Sequence, residues 1–369
     1  MEPETPARAT PPDEPMPAER HDLTWALLGE EGLRSGWAVG LFVALFYLIT
    51  LVLDTVAVTV DPALAGARPG PRSMVIGEAL PVLALAGAGL FLARLQQRGV
   101  LNYHWRGPRA VAHFAGGLAA GFVALTVLVC GLAAGGWLRF GPAALGGTRA
   151  FEYGAVWAVA FLLVGLFEEG SFRCFLLAAL KRGMNFWWAL GAAGATCAVV
   201  ALHAHPQGAG GVYTVAVLGL GPCAWLHWKR TEGAGFWQAA WVTSAAFGAY
   251  HTGNTGETAV GIFTASFIGF IFCVSVRVTG SAWWAIGCHS AWDWAETYFY
   301  GTANSGFDAR GHLLTTMPQG SELWSGGAAG PEGSLLMVPV TLALLGALLA
   351  VYGRGRTAQA ARAAERLAG

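Results

Sequence analysis

Charge is what this sequence has least of. Asp, Glu, Lys and Arg make up 12% of its 369 residues, about half the roughly 25% of an ordinary soluble domain. The 22 basic residues balance 22 acidic ones, so no bulk positive charge is offered to a nucleic acid and no such partner is expected. The six cysteines include no CxxC pair and all fall inside apolar runs. They read as small packing residues, not as a disulfide framework. The amino terminus lacks the basic start, apolar core and cleavage site of a signal peptide. The final Leu367-Ala368-Gly369 is not a prenylation box. What is abundant is apolar: 55% of residues are hydrophobic, with 52 Gly and 16 Trp. Several apolar runs are longer than the roughly 18 residues that mark a membrane span. A soluble globular protein is excluded. The expected class is all-α, a polytopic transmembrane helical bundle in the cell membrane, with the lipid bilayer as its medium.

About ten spans are expected (eight to ten). They lie near Gly36–Val60, Ser73–Ala93, Val111–Leu138, Ala155–Leu180, Phe186–Leu202, Val212–Trp228, Phe236–His251, Thr258–Val276, Ser281–Tyr300 and Ser334–Tyr352. Three of these runs are short for a full crossing. With both termini inside, 16 basic residues fall on inside segments and 5 on outside ones, so the positive-inside rule gives N-in, C-in. Residues 1–35 read as a Pro- and acid-rich disordered tail, with a short interfacial helix at Leu23–Leu33. Residues 36–353 form the bundle, and 354–369 form a basic tail. The many Trp residues flank spans and fit an interfacial belt.

An ionisable side chain at mid-bilayer costs about 2.5–3.5 kcal/mol, so each one needs a reason. Seven lie inside the expected spans: Asp54, Glu78, Glu168, Glu169, Arg173, Asp293 and Glu296. Six are acids. Glu169 and Arg173 are i,i+4 and can pair along the helix. Glu168 points about 100° away and is left free for chemistry. His289 and Asp293 are i,i+4 on a second span, where the acid can fix the imidazole's tautomer. Glu296 shares that face and is expected near the membrane surface. His251 ends a third span, one turn after Phe247. Asp54 and Glu78 are read as interfacial, or as helix-to-helix hydrogen bonds.

Together these groups can converge inside a bundle, and two designs would use them. In one, Glu168 is the general base for water, His251 positions that water, and His289 with Asp293 stabilises an oxyanion. In the other, His251 and His289 with Glu168 or Asp293 hold Zn²⁺, which activates water. Both hydrolyse an amide within the membrane. Each motif alone also has a bland reading, as a polar pair that ties helices together.

The three motifs resemble the CAAX protease and bacteriocin-processing (Abi) family of intramembrane endopeptidases, which includes the type II CAAX prenyl proteases. Its signatures are E-E-x-x-x-R, F-x-x-x-H and H-x-x-x-N/D, in that order on successive membrane helices. Here they read Glu168-Glu169-x-x-x-Arg173, Phe247-x-x-x-His251 and His289-x-x-x-Asp293. The resemblance covers about residues 155–300. It implies an endopeptidase acting on a membrane-associated protein or peptide. Glu168, His251, His289 and Asp293 would be catalytic, supported by Glu169, Arg173 and Phe247. Many members are called metalloproteases, and the metal stays open. The chain departs from the family in two ways. Two extra apolar runs, at about 186–228, separate the first motif from the second. Val199-x-x-x-His203 inside that insertion competes for the second motif but lacks its Phe, so His251 is preferred. Asp293 stands where prenyl proteases carry an amide, and an ionised Asp cannot donate a hydrogen bond to an oxyanion. Two other classes remain as alternatives: a transporter using the same buried carboxylates, and an inactive membrane scaffold or immunity protein.

Overall fold

The computed structural model describes residues 27–29, 32–65, 70–203 and 208–353. The amino-terminal tail before 27, the carboxy-terminal tail and the side chain of His203 lie outside the described residues. Each of the ten apolar runs forms a helix. They are α1 Ser35–Val60, α2 Pro71–Leu95, α3 Ala110–Ala134, α4 Gly147–Leu180, α5 Phe186–His203, α6 Ala209–Trp228, α7 Ala234–Tyr250, α8 Ala259–Thr279, α9 Trp283–Asp293 and α10 Met337–Gly353. The chain is an integral, multi-pass, all-α bundle.

Six helices, α1 to α4, α6 and α8, are long and apolar enough to cross a bilayer. The others are shorter, and two of these, α7 and α9, carry the His motifs. A helix that is apolar all round belongs in an interior. α9 follows that rule, with Trp284, Ala285, Ile286 and Cys288 all buried. The most apolar stretch of α1, by contrast, is only 6% buried against the protein, whereas that of α8 is 61% buried. α1 therefore meets lipid, and α8 and α9 form the centre.

Small residues let the central helices approach. A Cβ added at Gly121 of α3 would stand 2.1 Å from the Cys288 carbonyl oxygen of α9. One turn earlier, a Cβ at Gly117 would meet the Trp284 carbonyl at the same distance. This Gly-x-x-x-Gly spacing replaces side-chain bulk with backbone contact, which suits packing where lipid supplies no hydrophobic drive.

Four helices widen locally into π turns among the described residues: α4 at Gly170–Leu176, α6 at Val215–Leu220, the continuation of α9 at Trp294–Tyr300, and the end of α10 at Leu349–Gly353. In α4 the Leu177 N–H reaches back five residues to the Phe172 carbonyl. The Arg173 carbonyl instead accepts from His104 Nδ1 at 2.7 Å. His104 belongs to the α2–α3 connection, and its Nε2 lies 2.7 Å from Lys181 Nζ. Since Nδ1 must donate to a carbonyl, Nε2 is the bare acceptor for the ammonium. Burial first, then the neighbouring Lys181 charge, push the His104 pKa down to about 4, which keeps the ring in this neutral form.

Two expectations need correction. The interfacial helix expected at Leu23–Leu33 falls mostly outside the described residues, of which Leu27 is helical and β1 Leu28–Gly29 pairs with β2 Gly32–Leu33. α3 stops at Ala134, short of Leu138, because Gly135-Gly136 ends it and Leu138–Phe140 becomes a strand, β3. β3 pairs antiparallel with β4 Thr316–Pro318 across one end of the bundle. Glu296 does not reach a surface: it is fully buried, and its Oε2 accepts from Trp292 Nε1 at 3.1 Å.

Candidate active site

The first motif divides into two carboxylates with opposite surroundings. Glu169 and Arg173 are both fully buried and pair, Arg173 Nε to Glu169 Oε2 at 3.1 Å and Nη1 to Oε1 at 3.2 Å. Aromatic faces cover the rest of the guanidinium. It lies 4.3 Å from the Phe247 ring centroid and 5.4 Å from that of Phe272, a favourable setting for a desolvated cation. Gly269 on α8 leaves the space, since a Cβ there would come 2.5 Å from Arg173 Nη2. Glu168, one residue earlier on α4, faces a cavity of about 410 Å³.

The His motifs meet this arrangement from α7 and α9. His289 Nδ1 lies 2.8 Å from Glu169 Oε1. A carboxylate oxygen can only accept, so Nδ1 carries the hydrogen. The acid that fixes this tautomer is therefore Glu169 of α4, not the helix neighbour Asp293 expected from spacing. Helix crossing brings Glu169 to Nδ1, while the ring turns its other nitrogen toward Asp293. That nitrogen, Nε2, lies 3.5 Å from Asp293 Oδ2 and 3.8 Å from Glu168 Oε2. Both gaps are too long for a good direct hydrogen bond and suit a bridging water.

At the end of α7, His251 Nδ1 lies 2.8 Å from the Phe247 carbonyl, its i,i+4 partner. Nδ1 donates, and Nε2 is left as the unused nitrogen. Phe247 thus serves twice: its carbonyl sets the His251 tautomer, and its ring lies under Arg173 and edge-on to His289, 6.1 Å between centroids.

Glu168, Phe247, His251, His289 and Asp293 all line the one cavity, and Glu169 and Arg173 sit behind it. Among the described residues, none between Glu168 and Phe247 lines it, so the described parts of α5 and α6 add none. Sequence reading missed several lining groups. Glu78 of α2, given an interfacial reading, faces the cavity, as do Glu257, Glu332, Asn254, Asn304 and Ser305. The last five sit in or beside connections between helices, and only tertiary packing gathers them. Glu257 precedes α8 and is pushed above the usual carboxylate range, by burial first.

The donor set does not assemble around a metal. Among the described residues no three His, Cys, Asp or Glu side chains group as ligands for an ion. No step below passes through a metal.

Residues 150–231 and 223–295 match the family model described as type II CAAX prenyl endopeptidase Rce1-like. Comparisons with curated proteins and with solved structures gave no match.

Proposed function

We propose that this cavity hydrolyses a peptide bond of a membrane-associated polypeptide with Glu168 as general base, a reading supported by the match of residues 150–231 and 223–295 to the Rce1-like type II CAAX prenyl endopeptidase model. The carrying observation is the approach of Glu168 Oε2 to His289 Nε2, 3.8 Å apart, at the wall of a cavity that His251 and Asp293 also line. A water between the two groups loses a proton to Glu168 as its oxygen bonds to the scissile carbonyl carbon. Glu168 then passes that proton to the leaving amine as the C–N bond breaks. His289, held by Glu169, presents Nε2 to the water and, when charged, donates from it to the oxyanion. His251 presents Nε2 from the facing helix end to position the substrate carbonyl or the water. Asp293, 3.5 Å from His289 Nε2, reaches it through a water and donates nothing while ionised.

Glu168 makes no direct hydrogen bond to the protein, so Glu168→Gln is expected to fold normally. Its cleavage of a membrane-tethered peptide in detergent or liposomes is expected to fall about 10²–10⁴-fold. A folded Glu168→Gln or His289→Ala protein that cleaves at the normal rate would end this reading. Ion flux lost in Glu168→Gln, with no cleavage by either protein, would favour a transporter.

A further inference from the structure

The two ends of the bundle carry opposite charge balances. One end gathers the helix termini and connections at 94–109, 181–182, 229–232 and 277–282. Hydrogen bonds tie these together: Ala282 N to the His104 carbonyl at 2.9 Å, and Arg182 Nη2 to Gln96 Oε1 at 3.2 Å. Counting Arg34 before α1, its described residues include ten Lys or Arg and a single acid, Glu232. The other end gathers the β3–β4 pair and the segments 251–258 and 301–336, tied by Gly306 N to the Ala329 carbonyl at 2.9 Å. With the connections at 61–72 and 135–149, its described residues include four Arg and five acids. Such asymmetry sets orientation: the basic end stays in the cytoplasm.

The cavity opens at the acidic end. There it is lined by the polar residues Asn254, Glu257, Asn304, Ser305 and Glu332, and among the described residues none of its lining comes from the basic end. The lining holds five carboxylates, on Glu78, Glu168, Glu257, Asp293 and Glu332, and no Lys or Arg. A free carboxyl terminus entering this space would meet five carboxylates, with only His289, already held by Glu169, to receive it.

We infer that the site acts on the non-cytoplasmic side, on a neutral or basic juxtamembrane stretch of a membrane-anchored polypeptide, and not on a cytoplasmic carboxyl-terminal tail. The inference rests on the peptidase reading above for its substrate, but not for its orientation. Two exposed positions remote from the cavity separate the two. Gln319→Cys marks the acidic end and Glu232→Cys the basic end, each in the full chain with unsubstituted protein as the blank. In intact bacterial cells a membrane-impermeant maleimide is expected to label Gln319→Cys, and to label Glu232→Cys only after permeabilisation. The reverse pattern overturns the inference whatever the enzyme does. One cleavable stretch is then placed on either side of a single anchoring helix and co-expressed. Cutting is expected only for the outer stretch, is lost in Glu168→Gln, and falls about tenfold when Lys residues flanking the bond become Glu. Cutting of the inner stretch alone, or preference for the acidic flank, overturns it. If neither stretch is cut, the peptidase reading fails and the substrate assignment with it, while the maleimide result still decides the orientation.

Discussion

At residue scale the site depends on neighbours in sequence having different tasks. Glu169 is a buried counterion shared by Arg173 and His289, while Glu168 faces open space. Removing one member of a buried pair leaves the other charge uncompensated, at a cost of about 3–5 kcal/mol. Arg173→Met should therefore lower thermal stability in detergent by that order, and a double Arg173→Met/Glu169→Gln chain should recover part of it. The double chain should still be catalytically impaired, because His289 has lost its carboxylate. The Glu169–Arg173 pair was legible from i,i+4 spacing alone, as was the free direction of Glu168. The Glu169–His289 contact was not, because it depends on how α4 and α9 cross. Nor was Glu78 legible as a cavity group: a single acid near a helix end looks interfacial until the opposite wall is known.

At the scale of elements, α9 is seated by backbone contact and α4 by a histidine. Gly121→Ala would push a methyl against the Cys288 carbonyl, next to His289. Overpacking of this kind costs about 1–3 kcal/mol, and cleavage should fall more than stability because the displaced helix carries His289 and Asp293. Thermal unfolding and turnover on the same preparation would show the split. The His104 tie has its own pH signature. The ring is held neutral down to about pH 4 in the fold, while an unfolded His takes up a proton near pH 6.5. Between those values the unfolded chain binds more protons, so stability should fall as pH falls from 6.5 toward 4 and be fully present above 6.5. His104→Gln should flatten that slope in a series of unfolding curves. Helix existence was legible throughout, because apolar run length is a local property. Helix ends were less so. The β3–β4 pair joins segments almost 180 residues apart, and short strands with no alternation leave no mark in sequence.

At the scale of the whole molecule, the family-matched segment does not enclose the cavity by itself. Residues 150–295 contain Glu168, His251, His289 and Asp293. Yet the cavity also takes Met74 and Glu78 from α2, Asn304 and Ser305 from the connection after α9, and Glu332 and Met337 at the start of α10. α3 supplies the seat for α9. A fragment of residues 147–300 should therefore fail to cleave, although it holds every proposed catalytic group, and adding back the flanking helices as separate chains should restore activity. We propose that α5 and α6 are an insertion between the first two motifs. Their even number keeps α7 running in the direction the second motif needs, and they leave the cavity wall untouched.

The His104 tie also joins the basic end of the bundle to the cavity. The basic-end connection touches the Arg173 main chain, the Arg173 side chain holds Glu169, and Glu169 holds His289. In the orientation proposed above, whatever grips that connection from the cytoplasm is three contacts from the His289 ring, a mechanical linkage from one end of the bundle to the wall of the cavity.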